Sequence, residues 1–220
     1  MFNEETPFFL SYPRTDAKAG GRDRPRSSDQ LVGRFFDELS AEIAPLVHLP
    51  YGSDMGFMDV EGLPGGMNSH PELMRALGTC QVLVSLLSAP YLMSEWCGRE
   101  WHAFTLRKRT TIAGVNAPPY QGSIIPVLWA PIAFEVPAVV KDHVSIFLPK
   151  PTRRDPDLSR LYAQRGIFGL MRAREEDAVS EIVWQLAKLI QQIYYGQRLE
   201  PRDFQPNELS NIFRMGQDEM

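Results

Sequence analysis

Val82-Leu83-Val84-Ser85-Leu86-Leu87 holds five aliphatic residues, one small hydroxyl and no charge. A half-exposed strand alternates apolar with polar side chains. This run does not, so it reads as a strand buried on both faces, the kind found in parallel sheets covered by helices. Directly after it, Ser88 to Trp101 reads S-A-P-Y-L-M-S-E-W-C-G-R-E-W. Within that stretch a helix places Glu100 four residues after Trp96, on the same face and about 5–6 Å away at Cβ. Ligands of α/β proteins bind where strand ends feed such helices. A carboxylate beside an indole there suits a ligand that offers a ribose hydroxyl and an aromatic ring.

The remaining elements fall into a compatible order. Phe8-Phe9-Leu10-Ser11-Tyr12, ended by Pro13, is a first buried strand. Residues 14–26 hold five basic and two acidic residues among Gly and Pro and read as a solvated loop. Ser27-Ser28-Asp29-Gln30 is a capping-box pattern, and Leu31, Phe35, Leu39 and Ile43 recur every four residues up to Pro45, which closes that helix. Residues 56–60 give a second strand, 61–67 a glycine-rich loop, and Ser69-His70-Pro71-Glu72 the start of a helix with Leu73, Met74 and Leu77. Residues 123–129 give a fourth strand, where Pro126 favours an edge, an end or a bulge. Residues 144–148 give a fifth. Residues 151–174 read as a basic loop with one short helix, and 175–195 as a long amphipathic helix with Val179, Ile182, Val183, Leu186 and Ile190 on its apolar face. Residues 196–220 show little periodicity and read as a tail or linker. The pattern predicts an α/β fold: a flavodoxin-like, five-stranded parallel sheet with helices on both faces.

Composition narrows the setting. The apolar fraction is 44%, the charged fraction 23%, and the net charge −4, which favours neither a nucleic-acid partner nor a membrane surface. The apolar stretch at 123–140 is broken by Pro126, Pro131, Pro137 and Glu135, too often for a membrane helix. The opening M-F-N-E-E-T-P lacks the basic region and apolar core expected of a signal peptide, and two cysteines, Cys80 and Cys97, make no disulfide framework. A cytoplasmic protein is expected. His48, His70, His102 and His143 lack ligand spacing, so no metal is expected. No phosphate-binding glycine loop, zinc-hydrolase or serine-hydrolase motif is present.

Three of these segments carry a family resemblance. Phe8-Phe9-Leu10-Ser11-Tyr12-Pro13-Arg14 resembles the first-strand box of Toll/interleukin-receptor (TIR) domains, specifically the bacterial ones. Residues 56–66, G-F-M-D-V-E-G-L-P-G-G, are similar to their second strand and BB loop. Residues 88–100 resemble their Ser-x-x-Tyr and Trp-Cys-x-x-Glu segment. The resemblance implies a TIR domain over 7–195, with its core at 7–148 and its final helix at 175–195.

Many such domains cleave NAD+, and the family's catalytic glutamate falls on Glu100. The resemblance also implies NAD+ contacts at Ser11, Tyr12, Arg14, Leu63, Gly65 and Trp96, with NAD+ as substrate and no separate cofactor. Pro13 stands where several NAD-cleaving relatives carry a basic residue. The activity implied is an NAD+ glycohydrolase or cyclase in bacterial immune signalling such as antiphage defence, assembled as a homo-oligomer through TIR–TIR contacts. The alternative is a non-catalytic TIR scaffold that works by self-association or partner binding. A nucleoside deoxyribosyltransferase-like enzyme shares the sheet order, but the Trp-Cys-x-x-Glu segment favours TIR over it.

Overall fold

The computed structural model describes residues 6–13, 27–58, 71–112, 122–143 and 146–214. Four strands, β1 (Phe8–Ser11), β2 (Gly56–Met58), β3 (Val82–Leu87) and β5 (Ile124–Leu128), form one parallel sheet in the order β2-β1-β3-β5. The chain steps outward from β1 to β2, then returns across β1 to β3. The order of winding therefore reverses between β1 and β3, and in open α/β sheets ligands bind at the C-terminal strand ends of such a switch point. Helices α1 (Ser27–Ile43) and α7 (Glu176–Gly196) cover one face, while α2 (Pro71–Thr79) and α4 (Glu95–Thr105) cover the other. The short α5 (Ala138–His143) adds Val140 to the second of these faces. The expected α/β class with helices on both faces is present.

Strand pleating divides the interior. Successive side chains point to opposite faces, so Phe8, Leu10, Val82, Val84, Leu86, Ile125 and Val127 join the core under α1 and α7. Phe9, Leu83, Leu87 and Ile124 join the core under α2 and α4. All six residues of β3 are buried, as its unbroken apolar run requires. Phe35, Leu39 and Ile43, the four-residue repeat of α1, are fully buried against the first core.

The expected fifth strand is not formed among the described residues; Ile146 to Leu148 have no regular structure. Pro126 disfavours pairing on this side. Its carbonyl accepts a hydrogen bond from the Phe147 N–H at 2.8 Å, but proline has no N–H to return one on that same outer side. Residues 144–145 lie outside the described residues. The described sheet therefore has four strands, with β5 at its edge.

Two further readings are corrected. Residues 151–174 hold not one short helix but α6 (Leu158–Ala173), kinked at Gly166, where φ is 62° and ψ is 175°. The kink brings the helix onto the end of β5: Phe168 N–H donates to the Trp129 carbonyl at 2.9 Å, and Tyr162 OH accepts from Leu128 N–H at 2.6 Å. The residues after Gly196 are not a loose tail as far as Phe213. β6 (Gln197–Leu199) pairs antiparallel with β4 (Arg109–Thr111), and Leu199, Phe204, Leu209 and Phe213 enter the core under α2 and α4. Their wide spacing gives no helix or strand period, which is why the sequence hid them.

Arg107 anchors this return. Its guanidinium is buried and donates to the carbonyls of Glu200, Leu77, Cys80 and Leu199 at 3.2, 3.2, 2.5 and 3.4 Å. Burial pulls its pKa down to about 10, still far above neutrality, so the group stays cationic. Gln81 adds a reciprocal pair with the backbone of Leu199, at 2.9 and 3.4 Å. Among the described residues, no helix is long and apolar enough to cross a membrane.

Gly166→Ala tests the kink. A Cβ there would lie 2.4 Å from the Trp129 carbonyl oxygen, on a backbone that L residues rarely adopt. The expected loss is about 2–4 kcal/mol from strain and forced displacement together, read as a lower urea midpoint with an unchanged m-value.

Candidate functional site

Two serines shape the local backbone of the site. After β3, Ser88 caps α3 (Ala89–Met93) by accepting from Tyr91 N–H at 3.3 Å. Ser94 then caps α4 by accepting from Cys97 N–H at 3.3 Å. Side-chain oxygens at these positions satisfy amides that a helix start leaves unpaired. The sequence suggested one helix; the second cap turns the chain so that α4 runs back along the sheet with Glu100 inward.

Ser11 ends β1 on the same pleat parity as Phe9, so it faces α4. Its hydroxyl donates to Glu100 Oε2 at 2.5 Å and lies 3.0 Å from Tyr91 OH. A serine hydroxyl has one hydrogen. That hydrogen is committed to the carboxylate, so Tyr91 is the donor to Ser11. The result is a directed relay, Tyr91 OH to Ser11 Oγ to Glu100 Oε2, in which each bond polarises the next. All three residues are buried: Tyr91 is 0%, Ser11 1% and Glu100 4% exposed. Burial, then the neighbouring Cys97 and Glu100, push the Tyr91 phenol well above its ordinary pKa. The phenol therefore stays protonated and remains a donor.

The relay lies at the C-terminal ends of β1 and β3, where the order of winding reverses. A carboxylate held in such a place, with its orientation fixed by a hydroxyl, can stabilise positive charge that develops on a bound molecule.

Of the residues singled out from sequence, the structure brings together Ser11 and Glu100. It separates Tyr12, which has the opposite parity and packs against the core under α1 and α7. Trp96 sits one turn before Glu100 and is 40% exposed, with the Arg99 guanidinium 5.1 Å over its ring and Arg99 also paired to Glu95 at 2.5 Å. Its indole is thus at the surface and not in either core. Arg14, Leu63 and Gly65 lie outside the described residues, as does the 61–68 loop. Tyr91 was missed as a site residue. Its signal was present in the Ser88-x-x-Tyr91 spacing, which a capping serine uses to set the first turn of a helix.

His102, two residues beyond Glu100, accepts the Ser210 N–H on Nδ1 at 3.0 Å. That bond requires an unprotonated Nδ1. Burial and then the Arg202 charge lower its pKa below 6.5. Among the described residues there is no group of three or more His, Cys, Asp and Glu able to hold a metal ion.

No protein-family model matches the sequence, and no curated protein matches it. Among solved structures, the chain is similar to "Structure of the activated Roq1 resistosome directly recognizing the pathogen effector XopQ (TIR domains)". The identity is 20% over 84% of this chain and 95% of that one, with a TM-score of 0.30. A superposition that poor carries no argument about this chain.

The His102 contact has a pH signature. The unfolded chain takes up the proton first, because folding depresses the pKa. Stability is therefore full above pH 6.5 and declines as pH falls below it toward the folded value. In His102→Asn, whose side-chain oxygen can still accept from Ser210, this part of the decline should vanish. Urea midpoints of parent and variant between about pH 7.5 and about pH 5 measure the difference; parallel curves would deny the contact its role.

Proposed function

We propose that this chain is a TIR-type NAD+ glycohydrolase or cyclase in which Glu100 is the catalytic carboxylate. The observation that carries the reading is the buried Tyr91–Ser11–Glu100 relay at the strand ends, on the glutamate that the Trp-Cys-x-x-Glu segment singles out. A structural glutamate on a helix surface would point to solvent; this one is buried at the strand ends and oriented by a hydroxyl.

The chemistry is set by the substrate. The bond from ribose C1′ to the nicotinamide nitrogen breaks with its electron pair going to that nitrogen. The nitrogen is cationic in NAD+, so nicotinamide leaves neutral and needs no acid. Positive charge develops on C1′ and the ring oxygen, as in other glycosyl transfers. An anionic Glu100 against the ribose hydroxyls lowers the energy of that state more than of the ground state, which is what accelerates a reaction. Water then adds at C1′ and loses a proton to give ADP-ribose, or an internal nucleophile of the same molecule adds to give a cyclic isomer.

Ser11 and Tyr91 hold the carboxylate in place, and one turn away the exposed Trp96 indole offers a face to an aromatic ring of the substrate. Arg14, Leu63 and Gly65 complete the NAD+ contacts in this reading. Tyr12, whose parity turns it to the other face, supports the strand more than the substrate. The enzyme would act in the cytoplasm as a homo-oligomer, in an immune role such as defence against phage.

Glu100→Gln keeps size and an acceptor for Ser11 but removes the charge. Nicotinamide release should fall about 10²–10³-fold, while the circular dichroism spectrum and assembly state match the parent. Release at the parent rate from a folded variant would exclude Glu100 as the catalytic residue. A parent that releases nothing, even when assembled, would point to a scaffold acting through self-association or a bound partner.

A further inference from the structure

The segment that returns after β6 ends on the same helix that carries Glu100. Leu209 and Phe213 are buried, each 3% exposed. Three residues of α4 receive this segment, and all lie on one side of the helix. Ser210 N–H donates to His102 Nδ1. Asn211 lies over Gly98 so closely that a Cβ on residue 98 would stand 2.0 Å from its Oδ1 and 3.2 Å from its Cα. Phe213 meets Trp101 edge-on, with ring centroids 5.7 Å apart. Phe213 also packs on Tyr91 at 5.7 Å, and Asn211 Oδ1 accepts from Phe213 N–H at 3.1 Å, which closes the turn between them.

The segment thus touches one end of the relay, Tyr91, and the helix that carries the other. It grips α4 on either side of Glu100 in sequence, and it backs the phenol that donates to Ser11. Upstream it is fastened to α2, where Arg202 N–H donates to the Gly78 carbonyl at 3.1 Å and a Cβ on Gly78 would stand 2.1 Å from the Arg202 carbonyl oxygen. Glycines 78 and 98 are unfavourable inside helices. Their absent side chains leave room for this return.

We propose that residues 209–213 form a strap that positions Glu100 and Tyr91 for reaction, with Phe213 as its principal positioning residue. The proposal rests on the NAD+ reading of the site. A hydrogen-bonded relay transmits a displacement of Tyr91 directly to Ser11 and Glu100, and a shift of about 1 Å at reacting groups is enough to cost about 10²-fold in rate. Phe213 acts through Tyr91 and Trp101, so loosening it should lower kcat and leave KM for NAD+ nearly unchanged.

The test uses the full chain, with nicotinamide release and amide hydrogen exchange as readouts. Phe213→Ala should lose about tenfold to a hundredfold in kcat and exchange faster along α4, while Phe213→Leu, which refills most of the space, restores the greater part. Gly98→Ala gives an independent arm. Alanine favours the helix intrinsically, so a loss there comes from displacing Asn211. The double variant Gly98→Ala/Asn211→Gly, which removes the atoms in conflict, should recover activity over Gly98→Ala alone. Parent kcat in folded Phe213→Ala, or in Gly98→Ala if the first variant does not fold, overturns the strap and leaves the NAD+ reading intact. A parent that releases no nicotinamide fails the NAD+ reading itself, and the strap's catalytic role with it.

Discussion

The burial of β3 on both faces is the constraint on which the rest depends. With no polar side to offer water, Val82–Leu87 must lie inside a sheet, with helices above and below. Its neighbours β1 and β5 then inherit the same division: every second side chain goes to the core under α1 and α7, the others to the core under α2 and α4. The parity carries through to the strand ends. Ser11 on β1 continues the row of Phe9, and Ser85 on β3, its register partner, continues the row of Leu83. Hydroxyls replace hydrocarbon where the row reaches the strand ends, and the one on Ser11 gives Glu100 something to bond.

A carboxylate taken out of water is costly unless hydrogen bonds replace its hydration. Ser11 supplies one replacement, and it is itself polarised by a tyrosine kept protonated by its surroundings. The local caps serve this arrangement. Ser88 and Ser94 each fix a helix start, and the two starts together set the angle at which Tyr91 and Glu100 converge on one oxygen atom. Substituting either cap would act on the relay through geometry, not through loss of a direct contact.

Legibility in the sequence tracked the range of the forces involved. β1, β3, α1 and α7 are announced by periodicity, because a continuous face must be buried. Glu100 and Ser11 stood out through motif spacing, and the pleat rule alone would have assigned Tyr12 to the other face. Of the expected fifth strand, Ile146 to Leu148 stay irregular beside Pro126, which accepts from the Phe147 N–H and has none of its own to return. The packing of 197–213 failed for the opposite reason. Its anchors Leu199, Phe204, Leu209 and Phe213 come at irregular intervals, and each is held by a different partner in the tertiary fold, so no local pattern records them. Gly78 and Gly98 stand inside two helices, and only the tertiary fold gives their purpose.

The Arg107 clamp bears on the order in which this chain is made. The guanidinium sits on four carbonyl oxygens, two from α2 and its exit at Leu77 and Cys80, two from Leu199 and Glu200. Half of its partners are synthesised roughly ninety residues after the arginine itself, a span of several seconds or more at ordinary translation rates. Until they emerge, the cation has only the carbonyls at the end of α2 and whatever water reaches it, and the core under α2 and α4 lacks its last apolar members. The α1 and α7 side needs residues up to 193, the other side needs 213. Both halves of the molecule are therefore late, and a ribosome-bound chain stopped before residue 199 would present an open flank to chaperones instead of a closed core.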